Sequence, residues 1–332
     1  LQMDKCGLMP YFRGRIFRTG ELRLQDWFVP VLFQEKDDPQ LFAVVPAQQT
    51  VEDFHTALQR RLGALPPVPQ TGFVGRSRDL LALQRLLHKG RKERYAVVIG
   101  QGGEGKTTLV AEFARWMVRS QQIHRAAFVS VEGLERNIAE SVLDTLGQQL
   151  LKPGFSTQAD CHGSVEQATQ QIERALREQP TLLLLDNMES VLLPPYLAEQ
   201  TPEALSAEAH AELQTILDLT ERLLRVGDTR LIFTSREPLP APFDAPRHRR
   251  ELRRLDRDDA VKLVERALNA EHEDGDTAGV SDAEREQIEA LVDEVHGHAR
   301  TLALLAPSLR ARGVEATRTA LVALMVEMDQ RF

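Results

Sequence analysis

The chain holds 332 residues, 42% hydrophobic and 27% charged, enough apolar material to build a core across two ordinary domains or one large one with appendages. Asp and Glu outnumber Lys and Arg by 49 to 41, a formal net charge of -8, which argues against a general binder of nucleic acid or of a membrane surface, since both are polyanionic. Cys6 and Cys161 are too few for a disulfide framework and lack metal-ligand spacing, and no apolar run approaches the ~20 residues of a membrane span. A cytoplasmic chain is expected. Residue 1 is Leu, no signal-peptide pattern follows it, and a helical pattern is still running at Phe332, so the sequence reads as a fragment of a longer polypeptide.

In chain order, residues 1–64 form an N-terminal segment with short apolar runs at 27–33 and 41–45, read as extended, and a helical pattern at 51–63 carried by Val51, Phe54, Leu58 and Leu62. Residues 65–72 hold Pro66, Pro67 and Pro69, a stiff linker and the clearest domain boundary. Between 73 and 245, apolar strand-like runs (95–99, 126–131, 181–185, 231–234) alternate with helical patterns (106–119, 138–151, 165–178, 209–225). Strands apolar on both sides that alternate with helices predict an α/β domain, a parallel sheet covered by helices on both faces. From 246 to 332 the spacing is helical throughout, in about four segments, and predicts a small all-helical subdomain.

The strongest local signal is Gly100-Gln-Gly-Gly-Glu-Gly-Lys-Thr-Thr108, which fits GxxxxGK[ST] between a strand and a helix. From this composition about 0.002 chance matches are expected in a chain of this length. Gly102, Gly103 and Gly105 let the backbone curl so that its N–H groups face phosphate oxygens, with Gly100 and Glu104 completing the loop. Lys106 supplies a cation for the β- and γ-phosphates, and the hydroxyl of Thr107, followed by Thr108, can ligate Mg²⁺. The expected ligand is ATP or ADP with Mg²⁺.

About 80 residues on, Thr181-Leu-Leu-Leu-Leu-Asp186 is an apolar strand ending in an acid, which would set Asp186 beside the metal at the sheet's C-terminal edge. A catalytic base is expected just after it, but Asn187 stands there and cannot take a proton as a carboxylate does; Glu189 is the substitute candidate. A third strand ends in Thr234-Ser-Arg236, and Arg236 could reach a γ-phosphate. The catalytic candidates are therefore Asp186, Glu189 and Arg236.

These motifs resemble, in order, those of the STAND class of P-loop ATPases, specifically the NB-ARC type. Phe73, Val74, Gly75 and Arg76 match an entry motif that touches adenine, 100–108 the Walker A, 182–189 a Walker B in an Asp-Asn variant, and 234–236 the sensor motif. Gly297-His-Ala299 is similar to a Gly-x-Pro motif whose proline packs on the base, with Ala299 in the proline's place. Residues 26–39 resemble the tail of a CHAT domain, a caspase-like domain found upstream of bacterial STAND modules; an extended linker is the other reading. The resemblance implies a switch that rests on ADP, opens and homo-oligomerises on exchange for ATP with slow or no turnover, and controls effector and sensor domains of the same longer chain. The ATPase core of a STAND-type transcription regulator is the alternative. The basic stretch Arg247–Arg250 with Arg253, Arg254 and Arg257 is interrupted by Glu251, is followed by Asp256, Asp258 and Asp259, has no aromatic residue, and reads as a solvated strand-to-helix junction, not a nucleic-acid site.

Overall fold

The computed structural model describes residue 56 and residues 58–88, 94–134, 137–192, 207–269 and 281–331. The chain divides into two compact units, 1–61 and 62–332. Of the first, only residues 56 and 58–61 are described, and they are helical. The extended runs expected at 27–33 and 41–45, and the CHAT-like segment, lie outside the described residues.

The second unit is built on a parallel five-stranded sheet in the order β2-β3-β4-β1-β5. Its strands are β1 (Tyr95–Ile99), β2 (Arg125–Ser130), β3 (Thr181–Asp186), β4 (Thr229–Ser235) and β5 (Arg249–Glu251). β3 and β4 are buried along their whole length, which is why they read as unbroken apolar runs without alternation. Helix α1 (Ser77–Leu87) precedes β1, and between the strands run α2 (Lys106–Arg119), α3 (Ile138–Leu150), the short α4 (Thr157–Asp160), α5 (Val165–Glu178) and α6 (Ala207–Leu224). Val97, Leu183, Leu185, Leu231 and Phe233 share one core with α3, α5 and α6. Residues one step along the same strands alternate to the opposite face, where α1 and α2 pack. Helices thus cover both faces, as the sequence predicts.

Four helices close the described chain: α7 (Arg257–Asn269), α8 (Asp282–Glu294), α9 (Ala299–Arg312) and α10 (Val314–Arg331). They share an apolar core of their own, around Val261, Val264, Ile288, Leu291, Leu302 and Leu309, against which Val74 and Leu255 also pack. Val74 thereby joins the entry segment to the helical region. Among the described residues no helix is long and apolar enough to cross a membrane.

Two elements depart from the sequence reading. Residues 77–87 form a helix, with Leu80, Leu83 and Leu87 buried at helical spacing. The Arg247–Arg250 stretch is not merely a solvated junction, because Arg249–Glu251 adds β5 to the free side of β1 and carries the sheet past residue 245. Arg250 there pairs with Asp79 at 2.6 Å, and the neighbouring His248 ring packs edge-on to Tyr95 at 4.0 Å.

Candidate functional site

The phosphate loop leaves β1 at Gly100 and enters α2 at Lys106, with Gly103 at φ +82° and Gly105 at φ +88°. Those positive angles are open to glycine and costly for other residues, which fixes the loop's spacing. Lys106 Nζ donates to the carbonyls of Gly100 at 2.8 Å and Gln101 at 3.1 Å, so its ammonium lies curled within its own loop. Burial pulls the Lys106 ammonium below the ordinary lysine range, and nearby Arg236 adds to that while Glu189, Asp186 and Glu104 oppose it. Gln101 N–H donates to Glu104 Oε2 at 2.8 Å, so Glu104 braces the loop from within.

Asp186 emerges at the end of β3, and Thr107 Oγ1 donates to its carboxylate at 2.9 Å from each oxygen. The Thr234 hydroxyl at the end of β4 also donates to Asp186 and accepts from Asn187 N–H at 3.0 Å. Burial pushes the Asp186 carboxyl above the usual range, against the two threonine hydrogen bonds. Thr107 and Asp186 supply two hard oxygens side by side, the donor chemistry Mg²⁺ prefers when phosphates and water complete its shell. Arg236 lies along the same edge: its Nε donates to Glu189 Oε1 at 3.1 Å, and its guanidinium lies so near Gly102 that a Cβ there would be 3.5 Å from it.

The roof comes from the helical region. Arg300 N–H donates to the Gly103 carbonyl at 3.1 Å, and His298 Nε2 meets the Gly102 carbonyl at 3.0 Å. A carbonyl only accepts, so Nε2 carries the proton; Nδ1 is then the acceptor that caps α9 through Thr301 N–H at 3.3 Å. A Cβ on Gly103 would lie 2.6 Å from the His298 ring and 2.9 Å from Arg300 Cβ, so a bare backbone is what permits this approach.

Between loop and roof lies a cleft of about 420 Å³, within the range of small-molecule sites. Of the residues singled out from the sequence, Phe73, Val74, Arg76, Gly102, Gly103, Glu104, Gly105, Lys106, Thr107, Thr108, Glu189, Arg236 and Ala299 line it. Three do not. Asp186 stands behind Thr107. Gly100 ends β1 with its N–H on the Ser235 carbonyl at 3.2 Å. Gly75 (φ +68°) turns the entry segment against Asp259 and lines the neighbouring groove instead. Arg76 spans the joint, donating to the Glu104 carbonyl at 3.1 Å and to the Arg253 carbonyl, with Asp79 at 3.7 Å.

The sequence reading missed Glu132, Asn187 as a lining residue, Thr71 and Arg300, all of which line the cleft, and His298, which closes it. Arg300 directly follows the expected Ala299, so a cation beside that motif was visible. Glu132 gave no local signal.

Residues 88–237 match the family model of the AAA domain. With its five-stranded parallel sheet and C-terminal helical region, the chain has the fold of a P-loop AAA+-type ATPase. Among solved structures, Drosophila ORC bound to DNA is similar at 16% identity and a TM-score of 0.50, covering 96% of this chain and 74% of that one. The Aeropyrum pernix ORC1 protein in complex with DNA gives 16% identity and a TM-score of 0.47, over 80% of this chain and 69% of its own. A STAND protein with a tetratricopeptide repeat sensor from Pyrococcus horikoshii gives 17% and 0.41, over 74% of this chain and 31% of its own, so this chain spans about a third of it. At such identities the likeness is one of fold. No curated protein matches the chain by sequence.

Proposed function

We propose that the chain is an ATP/ADP-binding switch module of a STAND (NB-ARC) signalling ATPase, in which bound nucleotide controls oligomerisation and attached effector and sensor domains. The observation that carries this reading is the seat of α9 on the phosphate loop: His298 and Arg300 contact Gly102 and Gly103, and the cleft has one wall from each body. A ligand there touches the sheet domain and the helical region at once, so ligands that differ by one phosphate meet the two bodies differently. That difference is what a population shift needs.

In this reading the loop N–H groups and Lys106 hold the β-phosphate, Lys106 exchanging its own loop carbonyls for phosphate oxygens. Thr107 and Asp186 hold Mg²⁺, which when bound offsets phosphate charge. Phe73, Val74, Arg76 and Ala299 line the base and ribose end. Arg236 is the γ-phosphate reader, since leaving Glu189 for a phosphate exchanges one anionic partner for another, and only ATP offers it. A regulator of transcription would use the same cleft; the domains that flank this segment in its gene separate the two readings.

The test is calorimetric titration with ADP and with ATP–Mg²⁺, on the wild type and on Arg236→Ala. The wild type should show unequal affinities, and the variant should bring them together while keeping ADP affinity within about threefold, because a charged hydrogen bond to the γ-phosphate contributes on the order of 1.5–3 kcal/mol. Equal affinities in the wild type would contradict the switch.

A further inference from the structure

The structure places a carboxylate where the sequence denied one. β2 and β3 run in parallel register, with Ser130 opposite Asp186 and Val131 N–H on the Asp186 carbonyl at 3.0 Å. Glu132, two residues past the end of β2, and Asn187, the residue after β3, therefore emerge side by side at the sheet's C-terminal edge. Asn187 Nδ2 donates to Glu132 Oε2 at 2.8 Å, while the Asn187 backbone N–H is held by Thr234, which also holds Asp186. Both Glu132 and Asn187 line the cleft along with Lys106, Thr107 and Arg236. The other candidate, Glu189, follows β3 two residues further on and is paired with the Arg236 guanidinium at 3.1 Å. Among the described residues Glu132 has no ion-pair partner, and its Oε1 makes no hydrogen bond.

From this juxtaposition we propose that Glu132 is the general base for ATP hydrolysis in this cleft, with Asn187 as its positioning residue. The inference rests on the nucleotide-site reading above and adds turnover to it. The carboxylate and its amide partner occupy adjacent strand ends, so the base comes from β2 although β3 carries Asp186. In the step itself a water oxygen forms a bond to the γ-phosphorus as the bond from that phosphorus to the β–γ bridging oxygen breaks. The water proton passes to Glu132, and the leaving electron pair stays on ADP; the products are ADP and inorganic phosphate, and Glu132 later returns its proton to solvent or to phosphate. Lys106 and Arg236 face the charge on the transferred group, a placement that favours a positioned base over an acid.

The experiment is single-turnover hydrolysis of ATP–Mg²⁺ by the 332-residue chain, followed by gel filtration and chromatographic identification of the nucleotide that stays bound. The wild type should end with ADP. Glu132→Gln, which keeps the hydrogen-bonding shape, should lower the rate about 10²–10⁴-fold, retain intact ATP, and keep calorimetric ATP affinity within about threefold. Asn187→Ala should lower kcat with KM unchanged, because it loosens the base without touching the nucleotide. Glu189→Gln should slow turnover less than Glu132→Gln. A Glu132→Gln variant that still yields ADP at the wild-type rate would overturn the proposal, as would a larger loss in Glu189→Gln. A wild type that binds ATP tightly and never cleaves it would overturn this inference but leave the binding reading intact, whereas a wild type that binds no nucleotide would sink both.

Discussion

Asp186 shows how single residues here carry unbalanced charge. Its carboxyl is buried, it receives hydroxyl hydrogen bonds from Thr107 and Thr234, and its pKa is still raised, chiefly by burial, with Glu189 adding to the push. A folded pKa above the unfolded one means that the folded chain binds the proton more tightly. Stability then falls as pH rises from about 3.9 through the folded value, and above it the ionised carboxylate is a standing cost unless a cation sits beside it. Asp186→Asn should therefore raise the thermal midpoint of the nucleotide-free chain at pH 7, the gain shrinking as pH is lowered toward 4, while abolishing the further rise that ATP–Mg²⁺ should give the wild type. Thermal unfolding at the two pH values, with and without ligand, checks both; a lower nucleotide-free midpoint at pH 7 would refute the electrostatic account. At this scale the contiguous part of the site was legible, since nine successive residues from Gly100 to Thr108 carry their own geometry. Glu132 was not, because its nearness to Asn187 is made by strand register across 55 residues of sequence. Ala299, which stands in the proline's place, lines the cleft, and its neighbours His298 and Arg300 make the direct bonds to the loop.

Elements hold their places through close approaches that helix propensity alone would not favour. Gly147 sits in the middle of α3, where alanine is better for a helix by ~1 kcal/mol, but a Cβ there would enter the ring of the buried Phe155. Overpacking of this kind costs about 1–3 kcal/mol, so Gly147→Ala should lose stability on balance despite the propensity gain, as denaturant unfolding would show; an increase in midpoint would mean that Phe155 relocates freely. α5 and α6 are tied by Arg222, which donates to Glu166 at 2.6 and 2.9 Å and to Glu173 at 2.7 Å, and holds the Glu166 carboxyl down at about 2. The long helices and buried strands were legible because burial on one or both faces writes a period into the sequence. β5 was not: its three residues, Arg-Arg-Glu, pair along one edge through their backbones and leave no apolar trace. Residues 77–87 carry a helical period in Leu80, Leu83 and Leu87, beside the stronger linker and loop signals that flank them.

On the scale of the whole second unit, the helical region and the sheet domain meet at Gly102 and Gly103 of the phosphate loop. Gly103 is the point of closest approach in that contact, where an added Cβ would strike both His298 and Arg300. Gly103→Ala should accordingly raise hydrogen exchange at the start of α9 and at the loop with little change in β3 and β4, whereas unchanged exchange at α9 would mean that the contact carries little. The proposed seat of a nucleotide between these regions is most directly probed at Lys106, because its ammonium rests on two loop carbonyls that phosphate oxygens would replace. Calorimetric titration of ADP and ATP–Mg²⁺ into the wild type and into Lys106→Ala, with circular dichroism to verify the fold, measures it. The account predicts binding by the wild type, weakened about 10- to 100-fold in the variant as expected for loss of a charged hydrogen bond, with unchanged secondary structure. Equal affinities in the two proteins would place the nucleotide elsewhere and contradict it.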